Sequence, residues 1–416
     1  MTAPDVHRSI EAVWRLESTR LVAALVRITR DVGLAEDLAQ DALVAALAQW
    51  PESGVPDRPG AWLVAVAKRR AIDGFRRRDR RDSIYAEIAA RERGVVVDDI
   101  ADAVDHVEDD VLRLMFVCCH PALGSDAQVT LTLRLMAGLT TGEIARSFLT
   151  SEPTISARIT RAKKTLARVE APMDEPAGDE RAERLTAVMR VVYLLFNEGY
   201  SATAGEDWMR VELCAEAVRL GRVLAALVPA EPEIHGLVAL MELQHARAAA
   251  RTDAAGVPVL LLEQDRSRWD GLLLRRGLAA LDRATSLGRP VGQYVLQAEI
   301  AACHARARTA DETDWSRIAE VYAVLAGVTG SAVVELNRAV AVSFADGPAA
   351  ALELLDAADL SALDGYHLLP SVRGDLLART GRPKEARSEL EAAASLTSND
   401  RERIMLLERA AALDQS

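Results

Sequence analysis

The chain has 416 residues, half of them apolar and 27% charged, with a formal net charge of −12. That composition excludes a disordered or fibrous chain and leaves room for roughly two to four domains. An aromatic share of 4%, beside abundant Ala, Leu, Arg and Glu, favours helices over sheets.

Four cysteines, Cys118, Cys119, Cys214 and Cys303, show no paired CxxC spacing, which argues against a disulfide framework and a zinc ribbon. No stretch approaches the roughly 18 apolar residues of a membrane span. The opening segment MTAPDVHRSIEAVW lacks a signal-peptide core, so a soluble, cytoplasmic protein is expected.

Residues 11–81 read as a cluster of helices. Leu21, Leu25 and Ile28 form one apolar stripe, and Leu34, Leu38, Ala42 and Ala45 the next. A turn, PESGVPDRPG, leads into residues 59–81, PGAWLVAVAKRRAIDGFRRRDRR, with Pro59 suited to a first helical turn. This stretch sets eight basic residues against two acidic ones, a local charge of +6. Trp62, Val66, Ile72 and Phe75 recur among the charges at roughly helical spacing. A helix with one packed face and one face for phosphates fits the pattern, and so does a merely solvated basic face. The charge then reverses: residues 87–110 carry nine acidic side chains against two basic ones, and read as a linker.

Residues 110–169 form a second helical unit that ends in LTTGEIARSFLTSEPTISARITRAKKTLARV. A short helix over 141–148, a break at 149–151 and a longer helix with Ile155, Ile159, Ala162 and Leu166 inward make the pattern of a helix-turn-helix. Thr154, Ser156, Arg158, Arg161, Lys163 and Lys164 are left facing outward, a mixture suited to a major groove. An ordinary helical hairpin has the same apolar spacing.

APMDEPAGDE, residues 171–180, is the clearest linker, and more than 230 residues of mostly helical pattern follow it. Near the end Ala339, Val342, Ala351, Leu355 and Ala358 correspond to Gly374, Leu377, Ala386, Leu390 and Ala393 at a constant offset of 35. That layout is tetratricopeptide-like, with small residues where two antiparallel helices cross. VPVLLLEQDRSRWD, residues 257–270, reads as an extended interruption, and GLVALMELQHARAAAR as an amphipathic helix with a basic end.

Few motifs invite chemistry. Cys118, Cys119 and His120 lack further nearby ligands and read as buried thiols beside a helix-terminal histidine, and Cys303–His304 reads the same way. LLFNEGYSAT, residues 194–203, offers either a polar contact surface or a helix stop at Gly199. No Walker loop, GxSxG, HExxH or strand-borne GxGxxG is present, so neither an enzyme nor a cofactor is expected.

AEDLAQDALVAALAQW, then PGAWLVAVAKRRAIDGFRRR, then LTTGEIARSFLTSEPTISARITRAKKTL, occur in that order around an acidic linker. Over residues 11–169 this resembles the extracytoplasmic-function class of bacterial RNA polymerase sigma factors. FNEGYSAT, LEQDRSRWD, LNRAVAVSFADGPAA and GYHLLP are similar to the subgroup with a long tetratricopeptide-like extension. The resemblance implies an all-α protein. A sigma region 2 domain would span 1–85, an acidic linker 86–109, a region 4 helix-turn-helix 110–170, a second linker 171–180 and a helical-repeat regulatory domain 181–416.

It further implies that Glu36, Asp37, Gln40 and Asp41, sharing a polar face opposite Leu34 and Leu38, dock on core RNA polymerase. Trp62, Lys68, Arg69, Asp73, Arg76 and Arg77 would melt and grip the −10 element of promoter DNA. Ser156, Arg158, Arg161 and Lys164 would read the −35 element. The C-terminal domain would regulate the protein, through contact with the sigma domains or a ligand. Lys68-Arg69-Arg70 stands where family members often carry Arg-Asn, so the bases read do not carry over. The alternative is a one-component helix-turn-helix regulator with a ligand-sensing repeat domain, which needs neither the acidic docking helix nor the basic AWL segment.

Overall fold

A computed structural model describes residues 3–79, 107–148, 150–169, 178–200, 210–253, 259–397 and 400–413. The expected acidic linker lies outside these residues up to position 106. Among the described residues every regular element is helical, and no helix is long and apolar enough to cross a membrane. The chain divides into two compact units, Met1–Val228 and Pro229–Ser416.

The first unit opens with α1 (Ala3–Thr29), α2 (Val32–Ser53) and α3 (Pro59–Asp79), which pack on one another. Arg30 turns the chain between α1 and α2 at φ +52°, and the Asp31 carboxylate caps α2 by accepting from the Leu34 N–H at 2.9 Å. Leu21, Leu25, Leu38, Ala39, Ala42, Ala46 and Trp50 form the shared core, while Ile28 is exposed. Among the described side chains α3 buries Leu63, Ala67 and Ala71, and the side chain of Phe75, expected on the packed face, lies outside them. Trp62 and Val66 are half-buried and Ile72 is exposed. Alanines let three backbones come close, and the bulkier side chains are left at the flanks.

Next come α4 (Val107–Cys118), α5 (Ser125–Leu135), α6 (Thr141–Ser147) and α7 (Glu152–Arg168). Helices α6 and α7 are the expected helix-turn-helix, with Ile144 and Ala145 inward on the first and Ile155, Ile159, Ala162 and Leu166 inward on the second. Both starts are written in the sequence. Thr140 and Glu143 make a reciprocal capping box on α6, and Ser151 caps α7 ahead of Pro153.

Helices α8 (Gly178–Tyr200) and α9 (Val211–Leu227) pair with each other and pack on α4 and α5. They belong to the first unit, and the linker expected at 171–180 lies outside the described residues up to position 177. The helix carrying FNEGY does not stop at Gly199 but runs to Tyr200. A Cβ on Gly199 would stand 2.8 Å from the Cys214 backbone nitrogen, so its bare Cα is what admits the start of α9. Glu198 accepts from Arg210 Nη1 at 2.6 Å across the same junction.

The second unit holds α10 (Pro232–His245), α11 (Gly271–Ser286), α12 (Gln293–Arg306), α13 (Trp315–Thr329), α14 (Ala332–Ala345), α15 (Pro348–Ala357), α16 (Leu368–Arg379), α17 (Pro383–Leu396) and α18 (Asp400–Ala412). Successive helices pack side by side. Helix α10 is not amphipathic, because residues 236–243 are buried on every face between α11 and α12. The segment expected to be extended folds instead into short 3₁₀ turns, Leu261–Glu263 and Arg266–Arg268. Arg266 there donates to the carbonyls of His304 and Ala307 at 2.6 and 2.7 Å, and its guanidinium lies over the Trp269 ring.

The offset of 35 corresponds to two hairpins, α14–α15 and α16–α17, with Ala339, Ala351, Ala386 and Gly374 buried where the helices cross. Close crossings make glycine substitutions informative. A Cβ on Gly236 would lie 2.6 Å from the Val295 backbone nitrogen, whereas one on Gly327 would meet nothing within 4 Å. Gly236→Ala is therefore expected to destabilise the second unit by about 2 kcal/mol despite its better helix propensity. Gly327→Ala should stabilise it by up to about 1 kcal/mol. Thermal unfolding of the two variants beside the parent checks both signs.

Candidate functional site

The exposed face of α2 carries Asp37 and Asp41, with half-buried Gln40 between them and exposed Val44 and Leu47 one and two turns on. Acidic and apolar groups together make a face fit for a basic, partly apolar partner. Asp41 already touches α3: Arg70 Nη1 stands 3.3 Å from its Oδ1 and donates to its carbonyl at 2.7 Å. Both partners are well exposed, so this pair contributes little to stability.

On α3, Arg69 and Asp73 are exposed and Lys68 is half-buried. Trp62 lies edge-on to Trp50, ring centroids 5.2 Å apart. Trp50 is buried and holds that wall in place, leaving Trp62 half-open at the flank of a basic helix. Such a flank can receive an unstacked base. Arg76 and Arg77 fall on the last turns of α3, and their side chains lie outside the described residues.

On α7, Ser156, Arg161 and Lys164 are exposed, and Arg158 is half-buried. Arg158 pairs with Asp126 at 3.3 Å, and Arg161 donates to the Ala157 carbonyl at 3.2 Å. Both arginines border a cleft of about 450 Å³ with residues 122–127, so the cations sit beside open space at the start of α5.

Two side chains expected to face outward, Glu36 and Lys163, do not. Glu36 is buried, 7% exposed, and its carboxylate bridges two helices of the second group. Arg134 Nε of α5 donates to Oε1 at 2.6 Å, and Lys163 Nζ of α7 meets Oε2 at 2.5 Å. Lys163, expected on the outer face, has turned in, with its stem crossing Gly33 at the start of α2. Burial raises the Glu36 carboxyl, but the charge of Arg134 and the hydrogen bond from Lys163 outweigh it, and the group is held below the ordinary carboxylate value. It is therefore ionised at neutral pH. Arg134 also donates to the Leu139 carbonyl at 3.0 Å, fixing the turn ahead of α6.

A second junction forms on the Met136 carbonyl. Thr19 Oγ1 of α1 donates to it at 2.9 Å, and Arg219 Nη2 of α9 at 2.8 Å. Sequence reasoning missed Arg134, Thr19 and Arg219. Arg134 did leave a signal, as a lone cation inside VTLTLRLM, which demands a buried carboxylate partner. Thr19 and Arg219 leave none, since contacts to a carbonyl have no sequence signature.

The cysteine–histidine pairs have structural surroundings. Cys118 and Cys119 are buried, and the Cys119 and His120 carbonyls accept from Gln128 Nε2 at 3.1 and 3.0 Å. Burial pushes the Cys118 thiol well up and the Cys119 thiol up to about 12. Among the described residues no group of His, Cys, Asp and Glu could hold a metal ion.

Comparison with known proteins agrees with this layout. Residues 14–81 match Sigma-70 region 2, and residues 184–285 match a family of unknown function (DUF6596). The chain is thus a helical protein carrying a sigma region 2 domain, with distant homology to extracytoplasmic-function sigma factors that supports a sigma factor role. It belongs to the same family as the uncharacterized protein R00370 of Rhizobium meliloti, 44% identical over 91% of this chain and 89% of that one. The probable ECF RNA polymerase sigma factor SigI of Mycobacterium tuberculosis is 29% identical over 38% of this chain and 55% of its own length. The ECF sigma factor SigK of Mycobacterium sp. (strain KMS) is 26% identical over 36% of this chain and 76% of its own. No solved structure matches.

All four cysteines are buried. At about pH 8 the folded chain is expected to react with Ellman's reagent far more slowly than a free thiol, and to release four equivalents once unfolded in guanidinium. Rapid reaction of a thiol in the folded chain would contradict the packing of its helix.

Proposed function

We propose that the protein is a sigma factor of the extracytoplasmic-function type. It would bring core RNA polymerase to promoters and help open them, work in the cytoplasm and catalyse no reaction itself. The observation that carries this reading is the order of three surfaces in one unit. An acidic and apolar face on α2 is followed by a basic face with a half-open tryptophan on α3 and a capped helix-turn-helix with cations on α7. The match of residues 14–81 to Sigma-70 region 2 supports it.

In this reading Asp37, Gln40 and Asp41 meet the polymerase, with Glu36 joining them once released from Arg134 and Lys163. Trp62, Lys68, Arg69, Asp73, Arg76 and Arg77 act at the −10 element, where aromatic stacking and cation contacts suit an extruded base. Ser156, Arg158, Arg161 and Lys164 act at the −35 element, where arginines suit guanine edges and phosphates. We further infer that the C-terminal helical part is tetratricopeptide-like and modulates initiation. The paired hairpins 35 residues apart, with small residues at their crossings, support the first half of that inference.

Run-off transcription with bacterial core polymerase, on a template carrying the region upstream of the protein's own coding sequence, tests the reading. The full chain is expected to yield a transcript that core alone does not. Asp37→Arg should reduce it about tenfold while leaving duplex binding unchanged, since a docking charge acts on the polymerase rather than on DNA. Arg161→Ala should weaken duplex binding, with a salt slope lowered by about one. A chain that binds duplex DNA but neither binds core nor initiates would be a one-component regulator instead.

A further inference from the structure

We propose that Glu36 is a latch that holds the helix-turn-helix closed against α2, so that the polymerase-docking carboxylate and a DNA-facing lysine occupy each other until both partners arrive. This rests on the sigma factor reading and adds the regulation of its surfaces.

Glu36 belongs to the α2 segment that carries Asp37, Gln40 and Asp41, yet it alone of the four is buried. Lys163 belongs to the outward series of α7 with Arg161 and Lys164, yet it has turned inward onto Oε2. Arg134 holds the other oxygen from α5. One carboxylate thus cross-links α2 to α5 and to α7 at once. A second cation of the same face, Arg158, is occupied by Asp126. Asp126 is 81% exposed on its side chain, so phosphate can displace that pair, whereas the Glu36 side chain is buried and cannot be exchanged without separating α2 from α7.

The Met136 junction braces the same closure. Thr19 and Arg219 grip one carbonyl at the end of α5, on the loop that leads into α6. Arg219 stands on α9, within the stretch matched by the family of unknown function. That places the α8–α9 pair where it reinforces the closed arrangement. Opening α7 from α2 must therefore break the ion triad and the shared carbonyl, while α1 stays packed on α4 and tied to it by the Arg27–Asp110 ion pair.

The test uses the full chain with spin labels on cysteines introduced at Ala48 of α2 and Ala157 of α7, both exposed, while the native thiols are buried. Pulsed electron resonance of the parent is expected to give one narrow distance. Glu36→Gln should broaden and lengthen it, and tighten binding to a promoter duplex about tenfold, as expected if the closed form holds roughly nine-tenths of the free chain. Lys163→Met, which alters a side chain at the edge of the junction, should lengthen the distance in the same way, and it covers the case in which Glu36→Gln fails to fold. An unchanged narrow distance in Lys163→Met, or in a folded Glu36→Gln, would overturn the latch. So would unchanged duplex affinity in a folded Glu36→Gln. None of these readouts needs polymerase. A latch that opens in a chain unable to initiate would therefore count against the sigma factor reading alone.

Discussion

A buried carboxylate with cations on both oxygens fixes how α2 meets α5 and α7 in the first unit. Glu36 lies between Arg134 and Lys163, donated by two different helices, and neither cation is more than about one-fifth exposed. Such a triad gains little over apolar packing, because desolvating the charges costs nearly what their attraction returns. Its effect is directional. An apolar contact between α2 and α7 would tolerate sliding, whereas two short ion pairs from one carboxylate admit a single register.

The other surfaces follow from that register. With Glu36 turned in, Asp37, Gln40 and Asp41 remain along one edge of α2, beside exposed Val44 and Leu47. The core beneath is built from alanines, Ala39, Ala42 and Ala46 on α2 and Ala67 and Ala71 on α3, which bring the acidic and basic helices close enough for Arg70 to reach Asp41. The second unit uses the same device. Gly236, Gly277 and Gly374 sit where a neighbouring helix passes within about 3 Å of the site a Cβ would occupy. In both units small residues set the spacing and large ones fill what remains.

Much of this was legible from the residues. The helix-turn-helix announced itself through a break at 149–151 and an apolar series at 155, 159, 162 and 166, because helical period is a local property. The offset of 35 between hairpins was legible for the same reason. Three things were not. Trp62, Val66 and Ile72 of α3 look like a core stripe, yet Leu63, Ala67 and Ala71 are the buried ones. Lys163 looks like its outward neighbours, and only a distant carboxylate turns it inward. The placement of α8 and α9 in the first unit comes from their packing on α4 and α5, contacts between separate helices that no local periodicity encodes. Glu36 was expected on the outward acidic face with Asp37, Gln40 and Asp41, but in this structure its carboxylate meets Arg134 and Lys163.

The central claim, that the acidic edge of α2 meets polymerase, is tested most directly by attachment rather than by activity. A photoreactive amino acid in place of Asp37 puts the probe on the exposed edge without touching the core or the ion triad. Irradiating the full chain with core polymerase is expected to attach it to the largest subunit. Attachment to no polymerase subunit, by a chain that still binds promoter duplex, would contradict the claim.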